Sequence, residues 1–449
     1  MILDQGEVID EIITKIRAGR MSRRTFLERA VAVGLSTSVA ASLLDACGGT
    51  SNSATGSGQT VNINYLEKDT NGVLAGLVGK FNALNNGVHA TYNSNAPSDT
   101  GQLLTILTTM LRARSSSIDV FPMDIIWPPE FGANGWTVPL DSYWPKSDQA
   151  NYLPGPLQGC TYNGKLWAAP IYTDVGIIYY RTDLIPTPPN SWEELTTMAK
   201  SVSPSKVKFG YLWQGAQYEG LVCNFVEVLY GYGGNVLDPN NPKSVTVNSP
   251  EGMAALTEMV GWVGTISPAA VTTYEEPQAL AAWQDGDAAF MRNWPYAISL
   301  SNDPTASKIP NKFDEHPMLY GGTNTQGHSN IGGWQHGINA FTKNPDACWK
   351  FIQFNLSSTW QTTVASQLSL LATLKSIYSD ATITAKDPFF GKVLPIVQNA
   401  LPRPVTPFYP DVSNAIQLRI HQALTKQSSP ASALSQLQSD LQTIVSRTV

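Results

Sequence analysis

From residue 61 the chain alternates between two kinds of hydrophobic spacing. Val61-Asn62-Ile63-Asn64-Tyr65-Leu66 switches between apolar and polar side chains, as a half-buried strand does. Val73, Leu74, Leu77, Val78 and Phe81 then fall on one side of a helix. Residues 88–92 read as a second strand, and Leu103, Leu104, Leu107, Met110 and Leu111 mark a second helix. Residues 118–126 form a third strand, apolar almost throughout except for its acids. Strand, helix, strand, helix, strand predicts a parallel sheet covered by helices, hence an α/β fold.

Later helices carry start signals. Ser191 with Glu194 three residues on reads as a capping box. Ser249-Pro250-Glu251 starts a helix with Pro in the first turn, its buried face drawn through Met253, Leu256, Val260 and Val263. The last helix begins at Ser429-Pro430 and buries Leu434, Leu437, Leu441 and Ile444. No internal repeat interrupts this series.

The first sixty residues follow another logic. Ser22-Arg23-Arg24-Thr25-Phe26-Leu27 is a twin-arginine pattern, and a weakly apolar run over 30–44 is too short to span a bilayer stably. Leu44-Asp45-Ala46-Cys47-Gly48 resembles a lipoprotein lipobox, with Cys47 as the lipidated residue and Arg23 and Arg24 as the export signal. Residues 48–60 have the Gly/Ser/Thr/Asn composition of a tether. Residues 1–47 are therefore expected to be a signal peptide, with a folded protein held outside the cytoplasm by lipid alone.

Composition narrows the chemistry. With 42% hydrophobic and 14% charged residues, the 449-residue chain can bury real cores, enough for two or three domains. Twenty-nine Lys and Arg against 35 Asp and Glu give a net charge of −6, which argues against nucleic-acid binding. After Cys47 only Cys160, Cys223 and Cys348 remain, leaving room for one disulfide at most or for three small buried hydrophobes.

Several reactive motifs are missing. There is no His-Glu-x-x-His or Cys-x-x-Cys, and the five histidines are dispersed, so neither a metal nor a cofactor is expected. Gly327-His328-Ser329-Asn330-Ile331 lacks the closing glycine of a nucleophile elbow. The near P-loop ending Gly164-Lys165-Leu166 lacks the hydroxyl that binds magnesium. What remains is carboxylates beside tryptophans and tyrosines, a combination suited to sugars. Pyranose C–H faces stack on rings, and their hydroxyls pair with carboxylates and Arg. Core packing accounts for most tryptophans, Trp192 among them. Trp294 and Trp334 instead sit in Gly/Pro/Asn settings where a loop can present the ring.

Asn163-Gly164-Lys165-Leu166-Trp167-Ala168-Ala169-Pro170, continuing to Asp174-Val175-Gly176-Ile177-Ile178-Tyr179-Tyr180-Arg181, resembles the extracellular solute-binding proteins of family 1. Ser191-Trp192-Glu193-Glu194-Leu195 and the run from Asp285-Gly286-Asp287 to Asn293-Trp294-Pro295 fit the same family. These proteins are the capture subunits of ABC sugar importers. Glu67, Asp124, Gly332-Gly333-Trp334 and Leu401-Pro402-Arg403-Pro404 resemble the trehalose/maltose-binding branch.

The resemblance implies a two-lobe periplasmic-binding-protein fold of type II, with the ligand in the interlobe cleft. It places one lobe at 61–170 plus 311–342 and the other at 171–310 plus 343–449, joined by two or three crossings. It implies hydroxyl-binding acids at Glu67, Asp124 and Asp174, stacking faces at Tyr172, Trp294 and Trp334, a backbone contact at Gly333, and a cationic donor at Arg403. It implies a monomer with no catalysed reaction, a neutral α-glucoside disaccharide as ligand, and ABC permease subunits as partners, on the outer face of the bacterial cytoplasmic membrane. A secreted glycoside hydrolase and a binder of another oligosaccharide or polyol stand as alternatives, since acids and aromatics line such clefts too.

Overall fold

The computed structural model describes residues 25, 60–68, 72–97 and 99–447. Arg23, Arg24, Cys47 and residues 48–59 lie outside them.

Two sheets organise the described chain. The first has strands β1 (Val61–Leu66), β2 (Val88–Asn93), β3 (Val120–Asp124), β4 (Ala169–Val175), β9 (Ile331–Ile338) and β10 (Leu371–Ala372). The second has β5 (Ile177–Arg181), β6 (Phe209–Leu212), β7 (Ala288–Asn293) and β8 (Phe313–His316). The first is ordered β10-β4-β9-β3-β1-β2 and the second β8-β5-β7-β6. The parallel pairing expected from the first three strands is present, with β1 parallel to both β2 and β3. β9 breaks the pattern by running antiparallel between β3 and β4.

Each sheet has its own core. Tyr65, Phe81, Phe121, Trp127, Phe351 and Trp360 pack around the first. Trp192, Tyr211, Trp213, Trp262, Leu434 and Leu441 pack around the second. A third cluster, including Ile125, Val175, Ile177, Tyr179, Ile331 and Phe390, fills the place where the sheets meet.

The expected lobe boundaries do not coincide with these sheets. Residues 171–175 belong to the first sheet, and Phe313–His316 joins the second by pairing with Ile177–Arg181. Helices α1 (Pro345–Leu356) and α2 (Ser358–Leu368) contribute Phe351 and Trp360 to the first core, although the resemblance places 343–449 in the other lobe. The physical reason is that alternation identifies a strand but not its partner. Partner choice rests on pairings more than a hundred residues apart.

The chain passes between the sheets at Gly176, along 317–330, and again near Leu401. These crossings are tied together. Ser329 Oγ donates to the Gly176 carbonyl at 2.7 Å, Ile331 N donates to Leu401 O at 2.8 Å, and Leu401 N to Ser329 O at 2.9 Å. Gly176 has no room for a side chain, because a Cβ there would lie 1.9 Å from Glu227 Oε1.

Ser191, Ser249 and Ser429 each cap their helix through the hydroxyl, as expected. Glu194 does not complete the box at Ser191; its carboxylate accepts from Asn190 N instead. In the helix Pro250–Trp262 the buried face runs through Ala255, Leu256, Met259 and Trp262, so Met253, Val260 and Val263 lie only half-buried at its edge. Cys160, Cys223 and Cys348 are all free and buried, the packing alternative rather than the disulfide.

Candidate functional site

The C-terminal ends of β1, β3 and β4 gather acids at one edge of the first sheet, where open α/β sheets bind ligands. Glu67 follows β1 and is buried; its Oε1 accepts from Lys68 N at 3.0 Å, and its Oε2 lies 3.1 Å from His336 Nε2. Asp124 ends β3, with Oδ1 accepting from Arg403 Nη2 at 2.8 Å and from Ile126 N at 3.3 Å. Burial pushes the Asp124 acid up, and the Arg403 charge opposes that rise.

Trp334 stands directly opposite Asp124 on one side and Tyr172 on the other. Burial pushes the Tyr172 phenol well up, and the charges of Asp174, Glu67 and Asp124 push it further.

Asp174 lies opposite Gly332 on β9. A Cβ at Gly332 would sit 3.1 Å from both the Asp174 Cβ and the Trp294 ring, so the missing side chain lets acid and indole approach. Asp174 is only partly covered as a residue, yet its Oδ1 is shielded from solvent and has no hydrogen-bond partner. Burial raises its acid to about 8; the Arg292 charge lowers it in part, and Asp124 adds to the rise. An unpaired buried acceptor of this kind typically costs about 1–3 kcal/mol, which a hydroxyl donor removes.

Trp294 is fixed from the second sheet. Its indole Nε1 donates to Glu276 Oε1 at 3.1 Å, and the Arg292 guanidinium sits 3.9 Å from its ring centroid. Glu276 also accepts from Tyr218 Oη at 2.7 Å. Arg292 is held by both oxygens of Glu227, at 2.8 and 2.7 Å, with both side chains 1% exposed. One face of the Trp294 ring is therefore already occupied by a cation.

Arg403, at the third crossing, spans the two halves. One Nη reaches Asp124 and the other donates to Glu219 Oε1 at 2.6 Å, while its buried Nε has no hydrogen-bond partner. The expected free cationic donor is thus largely committed to carboxylates. Gly333, at φ 112°, lets β9 come close to β4, and its carbonyl accepts from Ile125 N at 3.2 Å. Trp334 is half-buried and meets Trp127 edge-on, with ring centroids 5.7 Å apart.

Pairwise contacts connect several of the expected residues: Asp124 holds Arg403, Trp334 lies opposite both Asp124 and Tyr172, and Gly332 brings Asp174 close to Trp294. His336, Glu219, Glu227, Glu276, Arg292 and Tyr218 contact expected residues or their partners and carried no local signal. Arg292 is the exception in part, because it lies in the motif that ends at Trp294. Among the described residues, no group of three or more His, Cys, Asp and Glu side chains is placed to hold a metal ion. None of the described helices is long and apolar enough to cross a membrane.

Comparison with known proteins follows the same outline. Residues 67–362 match the model for the bacterial extracellular solute-binding protein. A probable ABC transporter-binding protein of Deinococcus radiodurans is 36% identical over 365 residues, covering 78% of this chain and 86% of that one. The solved structure of maltose-bound MalE3 from T. maritima is 34% identical with a TM-score of 0.80, covering 85% of this chain and 99% of the other. A ribitol-bound ABC transporter solute-binding protein of Agrobacterium radiobacter K84 is 25% identical with a TM-score of 0.75, covering 86% and 98%. The fold is the two-lobe, mixed α/β architecture of periplasmic binding proteins of type II, as the motifs implied. With a family match across most of its length and a relative of this identity, the chain belongs to the bacterial extracellular solute-binding proteins.

Proposed function

We propose that this protein is the capture subunit of an ABC carbohydrate importer and closes its lobes on a neutral α-linked glucose disaccharide such as maltose or trehalose. The observation that carries this reading is Asp174, whose buried Oδ1 lacks a donor beside the Trp294 indole. A pyranose supplies both missing parts, a hydroxyl for the acid and a C–H face for the ring. Support also comes from the maltose held by the T. maritima relative.

The lobes are taken as 61–175 with 331–372, and 177–316 with 409–445, following the sheets and their cores. Asp124 belongs to the first lobe and Trp294 to the second, so a sugar touching both binds the closed form more strongly than the open one. That difference shifts the population toward closure, and the permease then recognises the closed form. The protein acts as a monomer, with Cys47 lipidated after export directed by Arg23 and Arg24, on the outer face of the cytoplasmic membrane.

A second reading, a polyol as ligand, draws on the ribitol-bound relative. A thermal-shift screen over maltose, trehalose, longer maltodextrins and polyols separates the two, since a tight ligand raises the unfolding temperature by mass action. The largest rise is expected with a disaccharide. A larger rise with ribitol or mannitol moves the assignment to polyols, and no rise anywhere overturns both.

A further inference from the structure

Two residues beyond Trp334 on β9 lies His336, 1% exposed and set behind the site. Its Nε2 is 3.1 Å from Glu67 Oε2 and 3.3 Å from Tyr65 Oη, and its Nδ1 is 3.1 Å from Asn355 Oδ1. Asn355 is fully buried near the end of α1, so the chain of contacts runs from the first core out to the cleft edge.

Proton placement follows from donor and acceptor chemistry. A carboxylate oxygen only accepts, so the contact with Glu67 requires the proton on Nε2. The Asn355 Nδ2 has no partner as oriented. Turning that amide lets Nδ2 donate to Nδ1 and keeps the ring neutral; leaving it makes the ring an imidazolium that donates on both sides. In both cases Nε2–H is shared between Glu67 Oε2, the nearer acceptor at 3.1 Å, and Tyr65 Oη at 3.3 Å.

Glu67 is then pinned through both oxygens, Oε2 by His336 and Oε1 by Lys68 N, while its own amide donates to Asn93 O at 3.1 Å. Each carboxylate oxygen still has a lone pair free. An acceptor fixed in this way loses little rotamer entropy when a ligand arrives.

We propose that His336 is a positioning residue for ligand binding: the Asn355–His336–Glu67 relay holds the carboxylate at the angle a sugar hydroxyl needs. This rests on the sugar-binding reading above.

The test combines calorimetric titration of maltose and trehalose with ¹⁵N NMR of histidine-labelled full-length protein at pH 7. His336→Leu is expected to weaken binding about 10-fold, the scale of one hydrogen bond to a charged group. His336→Gln, which keeps an N–H donor, should stay within about 3-fold of wild type. In a Glu67→Gln background, His336→Leu should cost almost nothing more, because the relay no longer has its carboxylate. The Nε2 resonance should fall in the protonated range. Additive losses in the double variant, or an unprotonated Nε2, overturn the proposal, and the NMR result and His336→Gln decide it even if His336→Leu does not fold. Wild-type protein that binds no sugar overturns the parent reading instead, whereas normal wild-type binding with additive losses overturns only the role of His336.

Discussion

Glu67 and Asp174 are both acids at the same edge of the first sheet, and the protein treats them in opposite ways. Both oxygens of Glu67 are engaged, by Lys68 N and by His336. Asp174 Oδ1 has no partner, and burial holds that acid up to about 8. Glu67 is held in advance, whereas Asp174 keeps an unmet demand that a sugar hydroxyl satisfies under the proposed function. The contrast extends to their neighbours: Glu67 leans on the first core, whereas Asp174 faces Trp294, which is fixed from the second sheet by Glu276 and Arg292.

The largest effect is expected at Arg292. Arg292→Met strands Glu227 as an unpaired buried charge, and about 3–5 kcal/mol of stability should be lost in a urea titration. A loss below about 1 kcal/mol would mean that water reaches the pair and that Trp294 is not held from beneath. The next largest effects fall on affinity alone. Asp174→Ala should weaken disaccharide binding by about 1.5–3 kcal/mol, and Trp294→Ala by about 1–3 kcal/mol with the fold intact. Calorimetry and an unfolding midpoint check both, and wild-type affinity in Trp294→Ala would show that the ring serves packing only.

Burial also makes stability depend on pH at Asp174. Asp174 is raised to about 8 in the folded protein, whereas in the unfolded chain an aspartate titrates near about 4. Below that lower value the carboxyl is protonated in both states, and its contribution to stability is fully present. As pH rises through 8 the contribution is lost, because the unfolded chain ionises first. Asp174→Asn should therefore gain stability relative to wild type from pH 4 to pH 8 and level off above. Hydroxyl donation favours the charged acid, so sugar binding should release protons in the upper part of that window. Calorimetry in buffers of different ionisation heat measures the release, and proton uptake would contradict it. Trp334→Phe should have the smallest effect, under about 1 kcal/mol in affinity, since a smaller ring still meets Trp127 edge-on.

Much of this region was legible from sequence, and for identifiable reasons. Alternation at 61–66 and the helical spacing of Leu103, Leu107 and Met110 are local properties, and they marked β1 and the helix Thr100–Arg112 directly. Asp124 stands out as an acid inside an apolar strand and Trp294 as a ring beside proline, whereas Asp174 is marked only by the family resemblance. The partners were not visible, because each contact joins distant positions: Arg292 and Glu227 are 65 residues apart, and His336 and Glu67 are 269 apart. His336 looked like one of five dispersed histidines until β9 placed it behind Glu67. Sheet membership was hidden in the same way, since nothing local in Phe313–His316 marks it as the partner of Ile177–Arg181.

Under the proposed function Asp124 of the first lobe and Trp294 of the second hold one uncharged sugar, so the same disaccharide is titrated into wild type, Asp124→Asn and Trp294→Ala. Saturable one-to-one binding by wild type, weakened at least several-fold by each single variant, is the predicted result. A sugar that binds wild type and either variant equally well does not touch both lobes, and the lobe-closure reading fails.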